Sequence, residues 1–216
     1  ISAAAAFFWL LPAVQEKWKP GWQTAWQTTL TLLAAGALLF PLFGGFDKIR
    51  DRMSSLALHT LDGMDYMPFS EYADNGQTMQ LDEDYRAIKW MQENVEGSPV
   101  ILEANVPEYR WGNRFTIYTG LPGVVGWNWH QRQQRAITPG DWVWERVNQV
   151  EAFYLSTSRE ETERILDTYD VSYVVVGQLE RVFYSGPGLE KFGLWDNDLW
   201  QKVYEDGQTA IYQVLD

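Results

Sequence analysis

Cysteine is absent from this 216-residue chain, and histidine occurs only twice. Without cysteine, the chain can form no disulfide framework, thiolate metal site or cysteine nucleophile. His59 and His130 lie far apart, and neither has the spacing of a metal-ligand motif such as HExxH. Motifs for a phosphate loop, a dinucleotide fingerprint and a nucleophile elbow are also missing. The sequence therefore predicts no metal or cofactor site in this chain.

Basic residues are also scarce. The chain has 17 lysines and arginines against 29 acidic residues, a net charge of −12. Nucleic acid as the main partner is disfavoured, because phosphate backbones bind to basic surfaces. Tryptophan, by contrast, occurs 12 times, and it gathers at membrane interfaces and binding surfaces.

Charge is missing altogether from the first 14 residues and from residues 20–46. A bilayer is spanned by about 20 apolar residues in a helix. Residues 24–46 are therefore predicted to form a transmembrane helix, and residues 1–14 the end of a truncated one. An interfacial belt of aromatic residues accompanies them, formed by Trp18, Trp22 and Trp26.

Residues 47–216 hold 15 of the 17 basic and 28 of the 29 acidic residues, which predicts a water-exposed domain. Residues 54–80 are expected to be irregular. Beyond them, apolar periodicity, a capping box of Ser158 and Glu161, and β-branched runs predict three helices and three strands. The helices are Asp82–Val95, Asp141–Leu155 and Arg159–Tyr169, and the strands are Val100–Ala104, Phe115–Tyr118 and Val171–Val176. An Asp206-Gly207 turn adds a C-terminal hairpin. This order predicts an α/β domain with a mixed sheet.

Thr119–Arg135 is the most unusual stretch of this domain. It combines three glycines, two tryptophans and His130 with two arginines, Arg132 and Arg135. Such a composition is typical of a functional loop, in which the glycines leave room for a ligand. The alternative is a glycine-rich connection whose aromatic side chains fill a core.

Residues 110–146 form a basic island in the acidic domain, with five arginines and two acids. Arginine suits bidentate recognition of phosphate or carboxylate. Alternatively, each arginine pairs with a nearby acid such as Glu103 or Glu108.

Four motifs occur in an order that resembles the C-terminal part of the "YYY" membrane proteins. The motifs are TLDGMDYM, VILEA, TGLPGVVGW followed by HQRQQR, and YVVVGQLER. The family is polytopic, and its layout of many spans before a soluble α/β domain is similar to that of GT-C glycosyltransferases. Those enzymes use polyprenyl-phosphate-linked sugars at the outer membrane face.

The resemblance implies that this chain is a C-terminal fragment of such a protein. Its soluble domain, outside the cytoplasm, would cap a lipid-phosphate-sugar site, and the catalytic acids would lie outside the chain. The implied partners are membrane lipid, a polyprenyl-phosphate-linked sugar and the rest of its own membrane domain or other membrane subunits. Matching motif positions assign anion or sugar binding to Glu103, Arg114, His130, Arg132 and Arg135. The alternative is a non-catalytic accessory or scaffolding subunit of a membrane complex.

Overall fold

The computed structural model describes residues 2–52, 58–138 and 140–215. The chain divides into two compact units, Ile1–Met53 and Ser54–Asp216. The beginning of the stretch that was expected to be irregular, residues 54–57, lies outside the described residues.

The first unit is helical. It contains α1 (Ser2–Lys17), α2 (Pro20–Leu39) and α3 (Gly45–Arg52). A π-helical turn, Phe40–Gly44, joins α2 to α3 where Pro41 lacks the N–H that a regular helix needs. The continuous segment Pro20–Asp51 is 32 residues long, and its length and hydropathy would allow it to cross a membrane. The sequence prediction of a long apolar helix is confirmed, and the helix continues into the charged residues that follow.

The second unit mixes helices and strands. Its helices are α4 (Leu81–Asn94), α5 (Arg114–Thr119), α6 (Asn128–Gln134), α7 (Trp142–Leu155), α8 (Arg159–Tyr169), α9 (Gln178–Phe183) and α10 (Lys191–Leu194). Its strands are β1 (Glu71–Asp74), β2 (Gln77–Gln80), β3 (Val100–Leu102), β4 (Val171–Val176), β5 (Trp200–Asp206) and β6 (Thr209–Val214). The predicted α/β class is confirmed.

A four-stranded mixed sheet organises this unit, with strand order β3-β4-β6-β5. β3 and β4 run parallel, whereas β4–β6 and β5–β6 are antiparallel. The β-branched run of β4 lies inside the sheet, as its composition predicts. β5 and β6 form the predicted C-terminal hairpin, whose turn contains Gly207 at φ +58°.

Both faces of the sheet are buried. Val174 and Val176 pack with Phe153 of α7 on one face. Val175 and Ile211 pack with Ile88 of α4 on the other. Successive residues of a strand point to opposite faces, so β4 contributes to both parts of the core.

Two local predictions were wrong. Part of the stretch expected to be irregular forms the β1–β2 hairpin, whose Asn75-Gly76 turn has φ of +48° and +74°. Asn-Gly is a standard sequence signal for such a turn. Residues Phe115–Tyr118 are not a strand, because they lie in α5. The predicted N-cap of α8 is confirmed, since Ser158 accepts a hydrogen bond from the Glu161 N–H.

A buried lysine completes the end of α7. Lys191 is 1% exposed, and its ammonium donates to the carbonyl oxygens of Phe153 and Ser156 and to Thr162 Oγ1. The last carbonyls of a helix have no intrahelical partner, so this ammonium satisfies groups that would otherwise be unpaired. Burial lowers the pKa of Lys191 to about 8.

Replacing this ammonium should destabilise the unit. We expect Lys191→Met to lower the free energy of unfolding by about 2 kcal/mol at pH 7, because buried carbonyls lose their donor. This corresponds to a fall of roughly 4–8 °C in the thermal midpoint, measured by circular dichroism.

The pH dependence of the stability difference between the wild type and Lys191→Met provides the control. Between pH 8 and the ordinary lysine pKa, the unfolded chain binds more protons than the folded chain at this position. The stability of the wild type should therefore rise with pH over that interval relative to Lys191→Met. A difference that does not change with pH would contradict the assignment of a buried ammonium.

Candidate functional site

The guanidinium of Arg114, at the start of α5, is buried among carboxylates. Its Nε donates to Asp84 Oδ2 at 2.7 Å, and its Nη2 donates to Glu180 Oε2 at 2.9 Å. Glu103, just after β3, has a carboxylate oxygen 3.6 Å from Nη1. Arg114 and Glu180 are at most 1% exposed. One interior cation thus holds three acidic side chains, from α4, α9 and the end of β3.

Glu103 also explains why residues 115–118 are helical. Its two carboxylate oxygens accept hydrogen bonds from the N–H groups of Phe115 and Thr116, at 3.0 and 2.8 Å. A carboxylate at the first turn of a helix satisfies its free N–H groups and favours the helix dipole. This contact from a distant strand overrides the β propensity of the sequence FTIY.

The three carboxylates titrate differently. Burial raises the pKa of Asp84 and of Glu103, although Arg114 opposes the shift. Burial would also raise the pKa of Glu180, but Arg114 and the N–H groups of Ala104 and Gly177 hold it below its ordinary value. Glu180 is therefore the carboxylate that most firmly compensates Arg114.

Thr119–Arg135 is only partly a loop, because seven of its residues, Asn128–Gln134, form α6. Its glycines serve the fold. Gly120 ends α5 at φ +76°. Gly123 pairs with Ile101 at the edge of β3, and a Cβ there would lie 2.6 Å from Thr116 Oγ1. These two glycines therefore have a structural reason that needs no ligand, and the interpretation of the glycines as space for a ligand stays a prediction.

Helix α6 separates His130 from the two arginines. Residues advance about 100° around a helix, so His130 lies about 160° from Arg132, and Arg135 directly follows α6. The five residues predicted as a site are therefore not one constellation. Glu103 and Arg114 share the buried network, Arg132 and Arg135 border one surface cleft, and His130 lies elsewhere.

Arg132 and Arg135 border a surface cleft of about 320 Å³, here named the cation cleft. Its other lining residues follow α6 or begin α7, and they are Ala136, Thr138, Gly140, Asp141, Trp142 and Val143. The Arg132 guanidinium lies 5.0 Å from the ring centre of Trp144, and that of Arg135 lies 5.2 Å from the ring centre of Trp142. These cation–π contacts fix both guanidinium groups at the cleft.

His130 belongs to an aromatic cluster instead. Its ring centre lies 5.4 Å from that of Trp127 and 5.7 Å from that of Tyr109. Its Nε2 lies within hydrogen-bond distance of the Tyr109 hydroxyl, at 3.3 Å. His130 does not line the cation cleft.

No protein-family model and no curated protein matches the chain. Among solved structures, the chain is similar to the C-terminal globular domain of an oligosaccharyltransferase from Archaeoglobus fulgidus. The TM-score is 0.41 and the sequence identity is 17%, over 63% of this chain and 100% of the other. The function therefore has to be inferred from the residues of the site.

The sequence did not predict four residues of the buried network and of the cation–π contacts. Asp84 and Glu180 lie 30 and 66 positions from Arg114, and nothing in their local sequence distinguishes them from neighbouring surface acids. Trp142 and Trp144 gave a weak signal, because both begin a helix that directly follows the basic segment. Within the described residues, no group of three or more acidic or histidine side chains could hold a metal ion.

The buried network predicts a large asymmetry between two arginines. Arg114→Met should destabilise the second unit by about 3–5 kcal/mol, because it leaves buried carboxylates without their counter-ion. Arg110→Met is the matched control. Arg110 pairs with Asp74 but remains about half exposed, so its loss should cost at most about 1 kcal/mol. Comparable losses in the thermal midpoint of the two variants would contradict a central role for Arg114.

Proposed function

We propose that this chain is the C-terminal part of an integral membrane protein with a GT-C-like layout, and that its soluble unit binds the phosphate of a lipid-linked sugar at the cation cleft. In this proposal the soluble unit lies outside the cytoplasm and acts as a cap. The catalytic acids belong to the membrane part outside this chain, and no cofactor is required here. The apolar helix Pro20–Asp51 supports membrane attachment.

The observation that carries the proposal is the unused donor capacity of Arg132 and Arg135. Other arginines of the basic island are already engaged. Arg110 pairs with Asp74, Arg114 with the buried carboxylates, and Arg146 donates to the Val124 carbonyl oxygen. Among the charged and polar side chains of the described residues, in contrast, Arg132 approaches only the exposed Asp141, at 3.8 Å, and Arg135 contacts only the neutral amide of Gln131.

Two guanidinium groups at one surface cleft suit an oxyanion. Each presents several N–H donors in a planar fork that matches phosphate geometry. The supporting tryptophan rings reduce the freedom that each side chain would lose on binding. Glu103 and Arg114 contribute from the interior by holding α5 and the segment before α6, and His130 contributes through its aromatic cluster.

The accessory or scaffolding role remains the second candidate. One observation favours it: Glu103, the acid with a predicted role at the sugar, has its carboxylate occupied by backbone N–H groups and is only 5% exposed. Among the described residues that line the cleft, Asp141 is therefore the only acid.

Binding of a polyprenyl phosphate to the whole chain in lipid nanodiscs tests the proposal. The double variant Arg132→Ala/Arg135→Ala should bind at least ~10-fold more weakly than the wild type, because charge-assisted hydrogen bonds contribute about 1.5–3 kcal/mol each.

The control removes the same charge elsewhere. Arg110→Ala/Arg159→Ala deletes two exposed arginines that are paired with acids, and it should bind like the wild type. Equal losses of polyprenyl phosphate affinity in both double variants would indicate a non-specific effect of net charge. That result would refute the cation cleft as the phosphate site.

A further inference from the structure

A second depression adjoins the cation cleft and shares Arg132 with it. This depression, here named the tryptophan groove, has a volume of about 430 Å³, within the range of small-molecule sites. Its walls come from the loop after β3 and from α6 and α7. The residues that matter here are Asn105, Glu108, Asn128, Trp129, Arg132 and Trp144.

The clearest sign of a ligand is Asn128. Asn128 lines the groove and is 8% exposed, and its amide makes no hydrogen bond with any residue that the structure describes. The amide atoms remain open to solvent, because among the described residues the buried side-chain atoms without a partner belong to Asp84 and Thr116. An amide offers both donors and an acceptor to an incoming group.

Trp129 supplies an open aromatic surface beside this amide. Its side chain is 48% exposed, and its ring has no aromatic or cationic partner among the described residues. Its position is fixed, because its backbone N–H donates to Glu108 Oε1 at 2.9 Å. This bond leaves the other carboxylate oxygen of Glu108 available at the groove. Trp144 also lines the groove, with Arg132 against its ring.

We infer that the tryptophan groove binds a hexopyranose, and that the sugar's phosphate lies on Arg132 and Arg135 in the adjoining cation cleft. This inference rests on the proposed function. A pyranose ring has an apolar C–H face, which suits the indole of Trp129, and hydroxyl groups at its rim, which suit an amide and a carboxylate. A prenyl chain would satisfy the aromatic wall but would leave the Asn128 amide and the second carboxylate oxygen of Glu108 without partners.

Isothermal titration of the detergent-solubilised whole chain tests this inference. The probes are inorganic phosphate and the 1-phosphates of glucose, galactose, mannose and N-acetylglucosamine. At least one hexose phosphate should bind about fivefold or more tightly than inorganic phosphate. Asn128→Ala should remove about fivefold from hexose phosphate binding, as expected for one ordinary hydrogen bond, and should leave phosphate binding unchanged.

Two further variants make the result specific. Gln134→Ala is the matched control, because it removes an exposed amide of the same helix that lines neither depression, and it should have no effect. Trp129→Leu keeps an apolar side chain but removes the ring, so it should weaken hexose phosphate binding. If it instead leaves hexose phosphate unaffected, or if no hexose phosphate binds more tightly than inorganic phosphate, the inference is overturned.

A failure of the proposed phosphate site can be distinguished from a failure of the sugar groove. Of the two depressions, Arg135 borders the cation cleft and not the tryptophan groove. Arg135→Ala should therefore weaken the binding of inorganic phosphate and of hexose phosphate by the same factor. If Arg135→Ala changes neither, the phosphate site is wrong. If Arg135→Ala weakens the binding of both probes while Asn128→Ala changes neither, the phosphate site is supported and the assignment of the sugar to the tryptophan groove is wrong.

Discussion

The interior ion network around Arg114 is the constraint on which the second unit depends. Its guanidinium binds Asp84 of α4 and Glu180 of α9, and it lies beside Glu103 at the end of β3. Glu180 also accepts the N–H groups of Ala104 and Gly177, which follow the two parallel strands β3 and β4. Because each of these groups is buried, none can exchange its partner for water without a large loss of free energy. The network therefore fixes where the strands end and where α5 begins.

The segments around the proposed surface site are anchored by that network. The loop that leaves β3 forms one wall of the tryptophan groove, and the segment that leaves α5 pairs with β3 before it enters α6. Burial also separates the arginines by role. A guanidinium enclosed by three carboxylates has no capacity left for a ligand, whereas Arg132 and Arg135 meet mainly aromatic rings and keep theirs.

The sequence predicted those features that are determined locally. The run VSYVVV predicted the inner strand β4, Ser158 predicted the start of α8, and Asp206-Gly207 predicted the hairpin, because each signal lies within a few residues of its effect. It did not predict α5, whose N–H groups are capped by Glu103 from another part of the chain. Nor did it separate His130 from Arg132 and Arg135, since this separation becomes visible only once residues 128–134 are known to be a helix.

The binding role that we propose for Thr119–Arg135 thus depends neither on its glycines nor on its full complement of charged residues. Gly120 and Gly123 allow the backbone to close α5 and to approach Thr116. Arg132 then stands at the boundary of two unlike depressions, one with a second guanidinium and one with an unpaired amide and an open indole. A free anion would use the first depression alone, and a lipid chain would use only the apolar wall of the second. A ligand that carries a phosphate on a hydroxyl-bearing ring would fill both depressions at once. Because the two depressions share Arg132, we infer a sugar phosphate as the ligand, and not a free anion or a lipid chain.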